Sequence, residues 1–420
     1  MKGATAMARQ AISVRTYDVG FGDMHLVQIP GADDRPRRVL IDCGVHARGK
    51  LDHRPMKTMV GRLLHDVTEP GGVPTIDVVV ATHRHADHIS GFADDRWSHV
   101  RVGTVLMPWT EDPDDPDALR LAARRDALAR GLKEAVGARN KPMRALAEEM
   151  LENVLGASNA ASVRMLREGF SPLPGKRVVR RRYLSSRSRP LAIDGADGAR
   201  VHVLGPARSE GALSELEPPA EQRYLALGRD EAEKERPLDP FDERFQCDAS
   251  KMADMELSRL LPQADRDVIA DLLEDPEGLA AQQQAASNDS SLLLVLEMGR
   301  AVLVFAGDAE WRSWRAVLAD SQARALLGRA SFLKLGHHGS YNATPRELVE
   351  DVLPGKRLWA VVSTLGGRPF PSIPHERLLA EMRRRDVRVV RSDGVDLLPD
   401  VGPALVVGED GSFYEVTIPI

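Results

Sequence analysis

Cysteine is almost absent from this chain of 420 residues, in which Cys43 and Cys247 are the only two. Two cysteines cannot build a disulfide framework or a cysteine-rich zinc module, so both kinds of small stabilised domain are excluded. Long apolar runs are also missing, because no stretch approaches the roughly 20 apolar residues of a membrane-spanning helix. The first residues lack the apolar stretch of a signal peptide. These absences predict a cytoplasmic protein that has no membrane part.

An overall basic charge is lacking as well. The chain has 57 Lys and Arg against 62 Asp and Glu, which gives a formal net charge of -5. A protein that is basic over its whole surface is therefore excluded, although a local basic patch remains compatible with nucleic-acid binding. Hydrophobic residues make up 43% and charged residues 28%, a balance that is typical of a large globular core.

The pattern of short apolar runs predicts an α/β fold. Runs of strand character occur near both ends of the chain, and polar, helical patterns lie between them. The predicted strands are 12–17, 24–29, 38–42, 76–81, 200–204, 291–297, 301–306, 332–335, 359–363 and 412–420. Helices are expected after Thr344 and Pro374. We therefore expect one core formed by 1–110, 190–206 and 286–420, interrupted by a helical insertion at 111–189 and a helical, polar insertion at 207–285.

A cluster of histidines directly follows the buried strand 76–81. Residues 81–88 read ATHRHADH, so three histidines and an aspartate fall within six positions. Imidazole and carboxylate groups are good ligands for zinc, and also for manganese or iron. His83 and His85 are two positions apart and can share one ion, whereas Asp87 and His88 then face a neighbouring ion. A solvated, histidine-rich loop is the alternative, and the strand before the cluster argues against it.

Further candidate ligands stand at the ends of other predicted strands. Asp308 follows Gly307 after the run VLVFA, where a carboxylate can bridge two cations, although an ordinary turn aspartate would look the same. His337 and His338 follow the strand FLKL, and surface histidines are the alternative there. Asp42 ends the strand RVLI and is expected to accept a hydrogen bond from a ligand histidine.

Together these motifs resemble the metallo-β-lactamase superfamily, and most closely the metallo-hydrolase domain of ComEC/Rec2-type DNA-uptake proteins and their free-standing relatives. The residues that carry the closer resemblance are 18–23 (DVGFGD), 288–291 (NDSS), 333–344 (LKLGHHGSYNAT) and 369–379 (PFPSIPHERLL). Phe21 departs from the pattern, since ComEC-type sequences usually have Gln there. The resemblance implies an αββα four-layer sandwich that holds two divalent metal ions, Zn or Mn, at the sheet edge.

One ligand position also departs from the wider superfamily. Many members have a third histidine for the first metal on the loop before the Gly-Asp hairpin, where this chain has Asn288-Asp289, and ComEC-like sequences also carry Asn there. Two alternatives follow: the first metal is held weakly, or Asp289 replaces that ligand, with Asn288 supporting the site. His202 is a lower-ranked rival, because strand alternation can simply place it on a polar face.

The predicted activity is that of a dinuclear metal-dependent hydrolase, most specifically a phosphodiesterase or nuclease that acts on DNA or RNA. A hydroxide between the ions would attack the substrate, and Asp87 would hold a metal and orient that hydroxide. His338 and Ser340 are candidates to hold a substrate oxygen. His375 is a candidate second donor, for which a solvent-facing histidine at a helix start is an equal alternative.

The substrate class leaves alternatives open. The basic run Arg180-Arg181-Arg182 is a candidate contact for a phosphate backbone, whereas the acidic stretches 111–117 and 228–243 would repel nucleic acid. A carbonyl-centre hydrolase such as a lactonase or β-lactamase-like enzyme is the second hypothesis. A binding module with a structural metal site, whose helical insertions dock a protein partner, is the third.

Overall fold

The computed structural model describes residues 11–33, 35–46, 54–123, 125–126, 157–208, 288–366, 373–394 and 404–420. The strands in chain order are β1 Ala11–Tyr17, β2 Met24–Ile29, β3 Arg37–Cys43, β4 Thr75–Val80, β5 Arg101–Pro108, β6 Ser171–Pro172, β7 Arg180–Leu184, β8 Leu191–Ala192, β9 Arg200–Gly205, β10 Leu293–Met298, β11 Ala301–Phe305, β12 Phe332–Lys334, β13 Trp359–Val362, β14 Arg388–Arg391, β15 Leu405–Val407 and β16 Phe413–Pro419. The α-helices are α1 Met56–Asp66, α2 Ala86–Ile89, α3 Ala157–Arg164, α4 Trp311–Ala319, α5 Ser321–Leu327 and α6 Glu376–Arg384. Short 3₁₀ or π turns occur at Ser90–Ala93, Asp95–His99, Trp109–Glu111, Met165–Gly169, Gly336–Gly339 and Leu348–Val352.

Two mixed sheets organise the described part of the chain. The first has the order β15-β16-β1-β2-β3-β4-β5-β6, with β7 also paired to β5, and the second has the order β14-β13-β12-β11-β10-β9-β8. In the first sheet, β3, β4, β5 and β7 pair in parallel with one another in that order, whereas β2 pairs antiparallel with β3. Strands β11 to β14 are parallel in the second. The mixed α/β class with two sheets is therefore confirmed.

Apolar side chains fill the space between the two sheets and cover their other faces. Strand β4 shows the arrangement, because Val78 and Val80 join the cluster shared by both sheets, whereas Ile76 and Val79 pack with α1. A further cluster joins the second sheet to α4, α5 and α6. Burial on both faces explains the continuous apolar run that the sequence shows at 76–81.

The sequence predicts two helical insertions, and the described residues of the first contain both a helix and a strand. Helix α3 lies within 111–189, but β7 in the same segment pairs in parallel with β5 from Thr104↔Arg180 to Pro108↔Leu184. Residues 127–156 of the first insertion and 209–285 of the second lie outside the described residues. The domain boundaries therefore stay predictions.

Within the described ranges, no helix has the length and apolar character needed to cross a membrane.

Candidate metal centre

Two groups of buried ligand side chains meet at the carboxyl ends of parallel strands from both sheets. One group contains Asp87, His88, Asp308 and His338, and the other contains His83, His85 and Asp308. Within each group the ligand atoms lie within 4.8 Å of one another. The carboxyl ends of parallel strands are the usual place for ligand binding in α/β sheets. Because Asp308 belongs to both groups, the geometry can hold metal ions side by side.

The histidine cluster gains its shape from the turn between β4 and α2. His83 and His85 lie before the helix, with His85 extended at φ -65° and ψ 150°, whereas Asp87 and His88 lie within it. Gly44 at the end of β3 allows this helix to approach, since a Cβ at position 44 would come within 2.5 Å of the His88 amide nitrogen. A larger residue at position 44 would therefore push the ligands away from the sheet edge.

Unusual backbone conformations present the ligands from the second sheet. Gly307 has φ +53°, and a Cβ there would lie 3.0 Å from the Thr82 Cβ atom. This turn brings Asp308 to the end of β4. His337 and His338 both adopt left-handed conformations, with φ 44° and 53°. Such conformations cost free energy in residues other than glycine, and they cluster at functional sites.

Hydrogen bonds fix which ring nitrogen of two histidines faces the ligand groups. His88 Nδ1 lies 2.8 Å from the Asp42 carboxylate, and His338 Nδ1 lies 2.9 Å from the carbonyl oxygen of Ser363. A carboxylate and a carbonyl can only accept, so Nδ1 carries the proton in both rings. Nε2 is then the atom left for a metal ion, as is common among metal-binding histidines.

Several ligand atoms are buried without a hydrogen-bond partner, which is the observation that tests whether a metal fits. Among the described residues, His85 Nε2, His88 Nε2, Asp87 Oδ1 and Asp308 Oδ1 have none. His88 Nε2 lies 3.2 Å from Asp308 Oδ1, and His83 Nε2 lies 3.9 Å from Asp308 Oδ2. Buried polar atoms are normally satisfied. Nitrogen and oxygen donors in this arrangement suit divalent transition metals, so the residues fit such ions.

The charge states of these groups follow from burial and from their neighbours. Burial, together with His88, holds the pKa of His83 well below its usual value, and burial lowers the pKa of His85 to about 4. Both rings are therefore neutral at pH 7, the form that coordinates a metal. Burial alone would raise the pKa of Asp308, but His88 and His337 outweigh it and hold that pKa well below the usual range. The carboxylate is ionised.

His88 shows the opposite pKa shift. Burial alone would lower its pKa, but the carboxylates of Asp308, Asp42 and Asp87 outweigh burial and raise that pKa well above the usual value. The ring is accordingly protonated on both nitrogens when no cation balances these carboxylates. A metal ion at Nε2 would take the place of that proton.

A buried ion pair between Asp23 and Lys334 lies behind the ligands. Both side chains are at most 2% exposed, and the Lys334 ammonium contacts Asp23 Oδ2. Asp23 Oδ2 also lies 3.6 Å from His88 Nδ1. Asp23, Asp42 and His88 form a third cluster of potential ligands, but Lys334 already supplies a cation there and Asp42 accepts from His88. Both residues lie within motifs that carry the resemblance, but the sequence alone indicates no role for either.

Asp289 and Asn288 lie outside both ligand groups. Asp289 Oδ2 is 3.1 Å from the Arg312 guanidinium, and burial with added repulsion from Glu310 raises the pKa of Asp289 to about 7. Asn288 donates from Nδ2 to Glu310 Oε1 at 2.8 Å. The predicted replacement of the third ligand by Asp289 therefore does not match this geometry, because Asp289 lies against Arg312 instead.

His337 is near the groups without belonging to either. Its Nδ1 lies 3.4 Å from Glu310 Oε1, and its side chain is 17% exposed. Burial would lower its pKa, but Asp308 and Glu310 outweigh burial and raise the pKa of His337 to about 9. The sequence assigned His337 to the metal and His338 to the substrate, whereas the structure brings His338 into the ligand group.

Two other predicted residues border the ligand groups, and His202 does not. Ser340 donates to Asn342 Oδ1 at 2.7 Å, and the His375 amide donates to the Gly339 carbonyl at 2.9 Å, so both border the His338 turn. The ring of Phe21 packs 4.1 Å from that of His338. His202 Nε2 lies 2.8 Å from Glu297 Oε2, in a hydrogen bond between β9 and β10 that accounts for this histidine without a metal.

Comparison with known proteins gives limited similarity. No family model matches the chain. A segment of 113 residues is 30% identical to ComE operon protein 3 of Bacillus subtilis (strain 168). This segment covers 27% of the chain and 14% of that relative, so the chain spans only a small part of the protein it matches. The similarity hints at a ComEC-like family, and the buried His and Asp groups are compatible with a metal-dependent hydrolase.

Proposed function

We propose that this protein is a metallo-β-lactamase-type phosphodiesterase that uses two divalent ions, Zn or Mn, and acts on nucleic acid. The observation that carries the proposal is the position of Asp308, which is shared by two ligand groups. A shared carboxylate is the feature that allows two cations to lie close together. The helix-covered sheets fit a four-layer αββα sandwich, and the partial similarity to ComE operon protein 3 agrees with the ComEC-like motifs.

The residues of this chain have separate roles in the proposed reaction. Two ions at such a site would supply Lewis acidity and an activated water molecule. His83 and His85 would hold one ion, and His88 and His338 the other, with Asp308 between them. Asp87 would bind the second ion and orient the attacking water. Ser340 and His375, which border the His338 turn, would hold substrate oxygens.

Hydrolysis of small substrates tests this proposal. The full chain, supplied with Mn or Zn, should hydrolyse bis-p-nitrophenyl phosphate and leave nitrocefin and a lactone intact. Asp87→Asn should lower the rate by several orders of magnitude, because it removes a ligand and the group that orients the water. Asp117→Asn, an exposed carboxylate at 45% side-chain exposure, is the matched control and should retain activity. Turnover of nitrocefin or the lactone alone would favour a carbonyl-centre hydrolase, and no turnover would favour a binding module.

A further inference from the structure

The basic run on β7 does not act as one surface, because successive side chains of a strand point to opposite faces. Arg181 is half-buried and donates to backbone carbonyls, at 2.9 Å to Val179 and 3.4 Å to Leu166. Arg180 faces the other way and pairs with Asp194 at 2.5 Å. Both arginines are therefore already occupied within the protein.

Arg182 differs from its two neighbours. Its side chain is exposed, and it lines a surface depression together with Arg189, which is also exposed. Ser188, Leu184 and Leu191 contribute to the same depression, and its lining contains no carboxylate. Asp77 and Asp194 line the adjoining depression, which Arg182 also borders. Within the described parts of the chain, neither Arg182 nor Arg189 forms an ion pair. This depression thus combines two cationic groups with a hydroxyl and an apolar floor.

The strand register relates the depression to the strand that leads into the metal centre. Arg182 pairs with Leu106, and Leu106 pairs with Val80, which lies three residues before His83. Adjacent strands are about 4.8 Å apart, so β7 lies roughly 10 Å from β4 across the sheet. The Ser186 amide donates to the Pro206 carbonyl at 2.8 Å and ties the loop after β7 to the second sheet. Arg182 therefore lies two strands from β4 in the same sheet, and the loop that carries Arg189 is held against the end of β9.

We propose that Arg182 and Arg189 form a phosphate-binding surface that holds the backbone of a single nucleic-acid strand next to the metal centre. This inference rests on the proposed function and names the substrate as a polynucleotide. Arginine is suited to phosphate, since its planar guanidinium donates two parallel hydrogen bonds. Each phosphate contact should release a bound counterion, so the affinity should depend on salt concentration.

Binding of a fluorescein-labelled single-stranded oligonucleotide tests the surface. The measurement uses fluorescence anisotropy over a range of salt concentrations, with the full chain carrying Asp87→Asn so that the oligonucleotide stays intact. The double substitution Arg182→Gln and Arg189→Gln should lower affinity several-fold and reduce the slope of log affinity against log salt by about 1.4, at about 0.7 per phosphate contact. In the otherwise wild-type chain, the same pair should raise KM for the oligonucleotide and leave hydrolysis of bis-p-nitrophenyl phosphate unchanged.

A matched pair of charges provides the control. Arg300 lies in the hairpin between β10 and β11, and Lys356 precedes β13. Both positions are therefore at the end of the second sheet opposite the metal centre, and both side chains are exposed. Arg300→Gln with Lys356→Gln should leave the salt slope unchanged. The proposal would be overturned if the Arg300 and Lys356 substitutions lowered affinity and salt slope equally. It would also be overturned if the Arg182 and Arg189 substitutions lowered neither. A slope that depends on Arg182 and Arg189 in a protein that hydrolyses no phosphodiester would support the surface and reject the proposed function.

Discussion

Asp42 accepts a hydrogen bond from Nδ1 of His88 at 2.8 Å, and this bond leaves Nε2 of His88 facing Asp308. The same carboxylate accepts from the amide and the hydroxyl of Thr82, both at 2.7 Å. Asp42 thus ties the end of β3 to the start of the histidine cluster. It has φ 57°, a conformation that Asp and Asn adopt more readily than most residues.

Asp42→Asn should weaken metal binding without straining the backbone. Its amide group would donate to His88 Nδ1, which moves the ring proton to Nε2 and blocks the metal-facing nitrogen. We expect a loss of affinity of about 10–100-fold, the usual effect of removing the hydrogen-bond partner of a metal-binding histidine. Competition with a chromogenic chelator measures it. Asp410→Asn, which changes an exposed carboxylate, should bind metal normally, and equal affinity in both variants would contradict this role of Asp42.

Asp308→Ala and His85→Ala should differ in metal content. Asp308 belongs to both ligand groups, whereas His85 belongs to one. Elemental analysis of the protein purified without chelator should find close to two ions per chain in the wild type, about one in His85→Ala and almost none in Asp308→Ala. Asp289→Asn should match the wild type because Asp289 lies against Arg312. Loss of an ion from that variant would restore Asp289 as a ligand.

Lys334→Met should destabilise the fold, because it leaves the buried carboxylate of Asp23 without its cation. Breaking a buried pair in this way typically costs about 3–5 kcal/mol. Removing both charges, with Asp23→Asn and Lys334→Met together, should recover much of that loss. Denaturant unfolding of the four proteins, all treated with chelator, measures the coupling. Additive effects of the two substitutions would show that the charges act independently.

Cys43 should be unreactive in the native protein. Burial raises the pKa of its thiol well above the usual value, so the thiolate that reacts with disulfide reagents is scarce at pH 8. Close packing against Gly91 also blocks access, since a Cβ at that glycine would lie 2.6 Å from Sγ. In a Cys247→Ser variant, a chromogenic disulfide reagent should cause no change in absorbance until denaturant is added. Rapid reaction under native conditions would contradict the burial of this thiol.

Features that depend on local pattern could be predicted from the amino-acid sequence. The buried run at 76–81 and the cluster from His83 to His88 are contiguous, so the strand and the ligands after it could be predicted together. Asp308 was found in the same way, as a carboxylate that ends an apolar run. These predictions needed only the rule that parallel strands deliver their last residues to one edge.

Which of two neighbouring residues belongs to a functional site depends on tertiary contacts. His337 and His338 are adjacent in the chain. Two left-handed backbone conformations determine which of them joins the ligand group, and a pair of adjacent histidines does not predict those conformations. Arg181 and Arg182 are also adjacent, and their side chains point to opposite faces because side chains alternate along β7. The sequence predicted a helical segment there instead of a strand. Asp23 and Lys334 meet 311 positions apart along the chain, and only the packing of one sheet on the other brings their charges into contact. Local sequence fixes residue types and periodicity, whereas burial and partners depend on contacts between distant segments.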